Sequence, residues 1–283
     1  MNLLFDAPDQ EVWMDESNRG TTVLPAFGSA YMWAVTNHRV AFSNLYLFSH
    51  GNPYGHDSMP RQEILCRMLL PMTWGCRPSP VVAIPPNLLA EAFQQSMVEI
   101  QRRDKWITHI TDEPWAALVM SDNTRNFYGR ASGWVEDRYM ANVMGCFRMA
   151  IEEHLPVTLI NDWNLNKEDL SRYQVLMLPN TACLDEAQAE AVREYVRGGG
   201  GVVASMDISL FDEMGNPRSD FLLQDVLGVK YKGIPTSQGG TEEQLDVNFA
   251  IGLSGDYWEK RKNIFDFRPE AHPLFEEPRL REY

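Results

Sequence analysis

The chain has 283 residues, 44% of them hydrophobic, with 8 Trp, 10 Tyr and 13 Phe, enough apolar mass for one large domain or two ordinary ones. Its net charge of −14 excludes a nucleic-acid groove, which needs a basic stripe along the phosphates. No stretch approaches the ~20 apolar residues that cross a bilayer, and Asp6 and Pro8 interrupt the N-terminus too early for a signal peptide core. A soluble, cytoplasmic protein is the expectation. Cys66, Cys76, Cys146 and Cys183 are scattered among apolar neighbours without a CxxC pair, so reduced, buried thiols are expected and a metal site is not.

In chain order, TTVLPAFG (21–28) and NLYLFSHG (44–51) are predicted strands. SMPRQEILCRMLLPMTWG (58–75) is a predicted helix capped by Ser58, with Pro60 in its first turn and Ile64, Leu65, Met68, Leu69 and Met72 facing inward. PVVAIPP (80–86) is a further strand, and NLLAEAFQQSMVEIQRR (87–103) a helix with Leu89, Phe93, Met97 and Ile100 on one face. Alternating strands and helices imply parallel α/β construction.

A second series begins at DEPWAALVMSDNT (112–124), whose WAALVMS is a predicted strand followed by a polar loop to about Gly133. Residues 134–154 form a long helix burying Met140, Val143, Phe147 and Ile151; PVTLIND (156–162) is a strand and NKEDLSRY (166–173) a short helix. VLML (175–178) reads as a buried parallel strand, and Asp185 as the N-cap of a helix carrying Gln188, Val192, Tyr195 and Val196. GVVAS (201–205) is the next strand, and 216–231 a further helix. Four parallel strands with intervening helices describe a flavodoxin-like, doubly wound sheet. The boundary between the halves falls near 104–112, giving domains 1–110 and 111–283, the latter irregular from 231 onward.

The four glycines Gly198 to Gly201 follow a helix and precede a strand. A phosphate cradle needs the reverse order, with the ligand on free N–H groups at a helix start, so these glycines turn a corner. An amidotransferase-type nucleophile would be a Cys on the turn after GVVAS, where the chain reads Met206, Asp207, Ile208, Ser209. Cys183 lies at a helix start, where a thiol pKa can fall, but lone cysteines are more often structural. Asp207 is either catalytic or a cap.

FSHGNPYGHDSMP (48–60) sets His50, Tyr54, His56 and Asp57 in the loop after a strand, where barrel enzymes keep their sites. The bland alternative is a hydrogen-bonded polar loop. Trp74 either stacks on a sugar ring or packs. Adjacent Asp112 and Glu113 point oppositely in an extended segment and make a poor acid/base pair.

PRQEILCRMLLPMTWGCRPSPVVAI followed by DEPWAALVMSDNT resembles the last helix–strand portion of a glycosidase barrel running into the β-galactosidase trimerisation domain of glycoside hydrolase family 42. LINDWNLNKEDLSRYQVLMLPNTACLDEAQAEAVREYVRGGGGVVAS carries the resemblance most strongly, and SLFDEMGNPRSDFLLQDVLGVKY extends it to residue 231. The resemblance implies the C-terminal portion of a (β/α)8 barrel, then a flavodoxin-like (class I amidotransferase-like) sheet serving homo-oligomerisation, as a trimer in the family's pattern. It implies a carbohydrate substrate and no cofactor. TTVLPAFG, NLYLFSHG and PVVAIPP would be the last three barrel strands, and the chain a fragment whose acid/base strand lies upstream. The family's nucleophile, a Glu at the end of the penultimate strand, aligns near Ser49 and His50, where no Glu stands, so no catalytic residue carries over. His50, Asp57 and Trp74 are the candidates for lining a sugar site. The rival expectation is a non-catalytic assembly or sugar-binding module.

Overall fold

The computed structural model describes residues 9–12, 23–39, 41–45, 61–79, 87–107, 112–128 and 135–231. Two parallel sheets organise them. In the first, β1 (Asp9–Val12), β2 (Phe42–Leu45) and β3 (Arg77–Pro78) lie in the order β1-β2-β3, with Asp9 opposite Phe42 and Phe42 opposite Arg77. Helix α1 (Val23–Val35) connects β1 to β2, and α2 (Arg61–Thr73) connects β2 to β3. Residues 46–51 and the predicted strand 80–86 lie outside the described residues, as do Ser58 and Pro60.

The segment expected as the strand TTVLPAFG is helical from Val23. Pro25 sits in the first turn of α1, where its missing N–H costs nothing. Ala26, Ala30 and Ala34 recur at the spacing of one helical face, while Phe27, Met32 and Val35 are buried as well. A helix apolar on most of its circumference shows no polar phase, and this hid its period. In α2 the expected face holds: Ile64, Met68 and Met72 are buried, with Leu65 and Leu69 half-buried. They meet α3 (Asn87–Ile107) through Ala92 and Ile100, whereas Met97 is exposed.

The second sheet runs β5-β4-β6-β7, all parallel, from β4 (Ala116–Met120), β5 (Val157–Asn161), β6 (Val175–Leu178) and β7 (Gly201–Ala204). Leu118, Leu159 and Met177 share one face with Phe147, Tyr139 and the α1 residues Phe27 and Ala30. Val119, Ile160 and Leu176 on the other face pack with Val192, Tyr195 and Leu223. β4 and β5 are buried at every position, which is why β4 reads as an unbroken apolar run and β5 as a largely apolar one broken by Thr158 and Asn161.

The connections differ from expectation in detail. The polar stretch after β4 forms a short helix, α4 (Asp122–Phe127), because the Ser121 hydroxyl caps it by accepting from Thr124 N at 3.0 Å. A π-helical turn, Val135–Met140, leads into α5 (Ala141–Glu152), which buries Val143 and Phe147 but leaves Ile151 exposed. The short helix expected over 166–173 contracts to one 3₁₀ turn, Leu170–Arg172, capped by Asp169. Helix α6 (Glu186–Arg197) starts with a capping box in which Asp185 and Gln188 bond reciprocally. Gly198 ends it, and Gly199 at φ +96° turns the chain toward β7, so the glycines do turn a corner. The helix expected over 216–231 shrinks to α7 (Gln224–Leu227), closed by Gly228 at φ +68°.

Candidate functional site

Parallel sheets collect chemistry at their strand carboxyl ends. At the second sheet these ends deliver Ser121 after β4, Asp162 after β5, Asn180 after β6, and Ser205, Met206 and Asp207 after β7. Asp162, 2% exposed, accepts from Ser121 Oγ at 2.8 Å and from Asn123 N at 3.0 Å. Burial pushes its carboxyl above the usual range, against the pull of those two donors. Ser121 Oγ also accepts from the Thr124 hydroxyl at 2.9 Å, and Ser121 N donates to the Tyr139 hydroxyl.

A second knot lies beside it. Tyr128 donates to Asp207 Oδ2 at 2.5 Å, and Asp207 N donates to Asn180 Oδ1 at 3.1 Å. Asn180 N donates to Ser205 Oγ at 3.1 Å, and the side chains of Asn180 and Asn142 both donate to Arg138 O. Desolvation, then the Asp207 charge, raises the Tyr128 phenol far above its ordinary range. Asn180, Met206 and Ser209 all hold left-handed backbone, at φ +44°, +54° and +55°. Non-glycine residues in that region carry strain, commonly at functional turns.

The turn after GVVAS is thus as sharp as a nucleophile turn, but Met206 occupies it, and a thioether has no proton to lose and no thiolate to form. Asp207 is held by the hydrogen bonds at its amide and carboxylate. Cys183 is fully buried, bridges Phe211, and its N–H donates to Thr124 Oγ1 at 3.0 Å. No disulfide joins the four cysteines, but Cys66 is exposed and Cys146 half-buried, against the expectation of four buried thiols. Cys66 lies on the outward face of α2, next to the buried Ile64 and Arg67 positions. Among the described residues no group of three or more His, Cys, Asp or Glu is arranged for a metal.

Of the three expected sugar-site residues, His50 and Asp57 lie outside the described residues. Trp74 stands in the turn between α2 and β3, on the side where the strands begin. It borders a cavity of about 440 Å³ with Trp33, Asp112, His154, Leu155 and Thr158. Phe147 packs on the Trp74 ring at 5.3 Å between centroids. Trp33 is fixed by His38, stacked at 5.4 Å, and by the Gly75 backbone, where an added Cβ would lie 2.6 Å from its ring. Gly75, at φ +77°, therefore serves both the turn and the close approach. Asp112 Oδ2 is buried without a hydrogen-bond partner, and Glu113 is exposed.

Sequence reasoning missed Tyr128, Arg138, Asn142, Asn180 and Asp162. Only their positions just past strand ends, true of Asp162 and Asn180, could have marked them.

No known protein-family profile and no curated protein matches the chain. Solved structures do. A β-galactosidase from Bacillus circulans sp. alkalophilus aligns with a TM-score of 0.64 at 15% identity, over 81% of this chain and 37% of its own. A cold-adapted β-galactosidase from Rahnella sp. R3 aligns at 0.58 and 16% identity, over 78% of this chain and 36% of its own. The α-L-fucosidase isoenzyme 2 from Paenibacillus thiaminolyticus aligns at 0.53 and 17%, over 70% and 29%. The chain thus spans between 29% and 37% of the length of these structures. Within that span, its mixed α/β architecture of parallel sheets is similar in fold to part of these β-galactosidase structures.

Proposed function

We propose that the chain belongs to a glycoside-hydrolase-like protein acting on carbohydrate. In this reading β1–β3 and their helices, within residues 1–110, are the end of a (β/α)8 barrel. The β4–β7 unit, within 111–283, is a flavodoxin-like domain that assembles subunits. The observation that carries it is the alignment of the chain, with its two parallel sheets, to one β-galactosidase over 81% of its length. Strand order β5-β4-β6-β7 is the doubly wound order expected of such a domain. Glycoside hydrolysis requires two carboxyl groups across the scissile bond, one protonating the leaving oxygen and the other attacking or activating water. His50, Asp57 and Trp74 remain the proposed sugar contacts.

A second reading, a non-catalytic assembly or sugar-binding module, is favoured by the carboxyl edge of β4–β7. Asp162 and Asp207 are engaged there by Ser121, Asn123 and Tyr128, leaving neither carboxylate poised opposite the other. Val203 on edge strand β7 is 56% exposed and Met206 beside it 41%, apolar surface suited to a neighbouring subunit.

The test is release of nitrophenolate from 4-nitrophenyl β-D-galactoside and α-L-fucoside, with sedimentation analysis of the same sample. Turnover supports the hydrolase reading. An oligomer without turnover, dissociated by Val203→Lys, supports the assembly reading. A monomer that neither turns over nor binds sugar overturns both.

A further inference from the structure

The Trp74 cavity lies where β5 begins, away from the hydrogen-bonded strand ends. Its walls are apolar and rigid. Trp33 is clamped between His38 and the Gly75 turn, Leu155 and Val157 line the sheet side, and Trp74 is buttressed by Phe147. At about 440 Å³ it falls within the range of small-molecule sites, roughly 300–1,000 Å³.

The polar groups are few and of mixed character. Asp112 lines the cavity with a half-buried carboxylate: its Oδ2 is shut off from solvent without a partner, and the less enclosed Oδ1 is the acceptor left for an incoming hydroxyl. Thr73 already spends its proton on Leu70 O at 2.6 Å, so its oxygen is left to accept. His154, at φ +55° past the end of α5, brings an imidazole that can donate or accept. An ammonium ligand would use the acid and the aromatic rings but has nothing to accept with. A polyol ring donates and accepts at each hydroxyl, and its C–H face suits an indole.

We infer that this cavity binds a single sugar ring, stacked on Trp74 and hydrogen-bonded to Asp112. The inference rests on the carbohydrate reading for its ligand class. Its test measures binding without turnover, so the two can fail separately.

Saturation-transfer NMR and calorimetry with D-galactose and L-fucose are run on the full chain and on Trp74→Ala, Trp74→Phe, Asp112→Asn and Trp106→Ala. Trp106 is 72% exposed and does not line the cavity, so it serves as the control. Wild-type protein and Trp106→Ala should show saturable transfer to the ring C–H protons. Loss of the aromatic platform should weaken binding about tenfold, the worth of one such contact. Asp112→Asn should weaken it several-fold, and Trp74→Phe should retain most of it. If Trp74→Ala fails to fold by circular dichroism, the Phe and Asn variants decide alone. Absence of saturable binding to wild type overturns the inference, as does sugar binding that Asp112→Asn leaves unchanged. Tetramethylammonium binding in preference to both sugars overturns it equally.

Discussion

Replacing Asp162 separates the value of its hydrogen bonds from the cost of its charge. The carboxylate's Oδ2 serves two donors, the buried Ser121 Oγ at 2.8 Å and the half-buried Asn123 N at 3.0 Å. Asp162→Ala strips both, and an orphaned buried donor costs about 1–3 kcal/mol, so a net loss of about 2 kcal/mol or more is expected after the desolvated charge is relieved. Both bonds fall on Oδ2, so Asp162→Asn with its amide oxygen in that place keeps them and removes the charge, and its loss should stay under about 1 kcal/mol. The variants also differ with pH. Burial raises the folded-state pKa of Asp162 above the unfolded value. Between those two values the native state binds more protons, so stability falls as pH rises from about 3.9 through the raised folded value. Asp162→Asn should lack that slope and compare best with wild type at neutral pH. Urea melts across this window measure it, and for a chain of this size 1 kcal/mol moves the Tm by about 2–4 °C. An Ala variant within about 0.5 kcal/mol of wild type, ordinary for an uninvolved surface change, would refute the bonding argument. An Asn variant keeping the full acid-side slope would refute the charge argument.

Other expectations concern particular contacts. Asp185→Ala removes the capping box, whose bonds are 2.7 and 2.9 Å, and should cost about 1 kcal/mol in chemical melts. At Gly200→Ala the new methyl would lie 2.1 Å from the Tyr195 ring; displacing that ring and its bond to Tyr173 O should cost about 1–3 kcal/mol, and an unchanged melt would contradict the packing seen. Tyr128→Phe leaves Asp207 Oδ2 without its donor and should destabilise by about 1–3 kcal/mol, read by thermal denaturation. Iodoacetamide at mildly alkaline pH should alkylate exposed Cys66 first. Burial pushes Cys76 up to about 12 and Cys146 to about 11, so both should resist until the protein unfolds, as mass spectrometry would read.

The strands of the second sheet were legible because burial on both faces favours apolar residues: AALVM and VLML carry no polar side chain, and VTLIN only Thr158 and Asn161. The corner at Gly198–Gly201 was legible from order alone, and Asp185 as the N-cap of α6, though not the reciprocal bond from Gln188 that completes a capping box. Helix α1 was not. Its Val, Leu and aromatic content matches a buried strand, and the decision for helix comes from Ala26, Ala30 and Ala34, small enough to let the backbone approach α5 and β5. Propensity yields to that packing. Likewise DNTRNF has no apolar face to betray a helix; α4 exists because Ser121 caps it and Asp162, from another strand, holds Asn123 N.

The carboxyl edge of β4–β7 was legible only as a list of places. Asp207 follows a strand and was weighed as catalytic or capping, but its partner Tyr128 arrives from 79 residues earlier. Nothing in the local pattern reports such an encounter. Nor does a methionine announce a left-handed backbone, since the residues that favour it are Gly, Asn and Asp. The strain at Met206 is held by tertiary bonds, Asn142 Nδ2 to its sulfur at 2.9 Å and Asp207 N to Asn180 at 3.1 Å. A turn kept strained without a nucleophile argues that its hydrogen bonds, rather than any reaction at its tip, are what this end of the sheet requires. The assembly role proposed for this sheet then has a direct consequence. Met206→Gly, which relieves the left-handed strain, should raise or preserve the melting temperature while removing one apolar contact from the exposed edge. The sedimentation coefficient should fall with it. A variant that melts earlier yet sediments unchanged would return the strain to a purely local role.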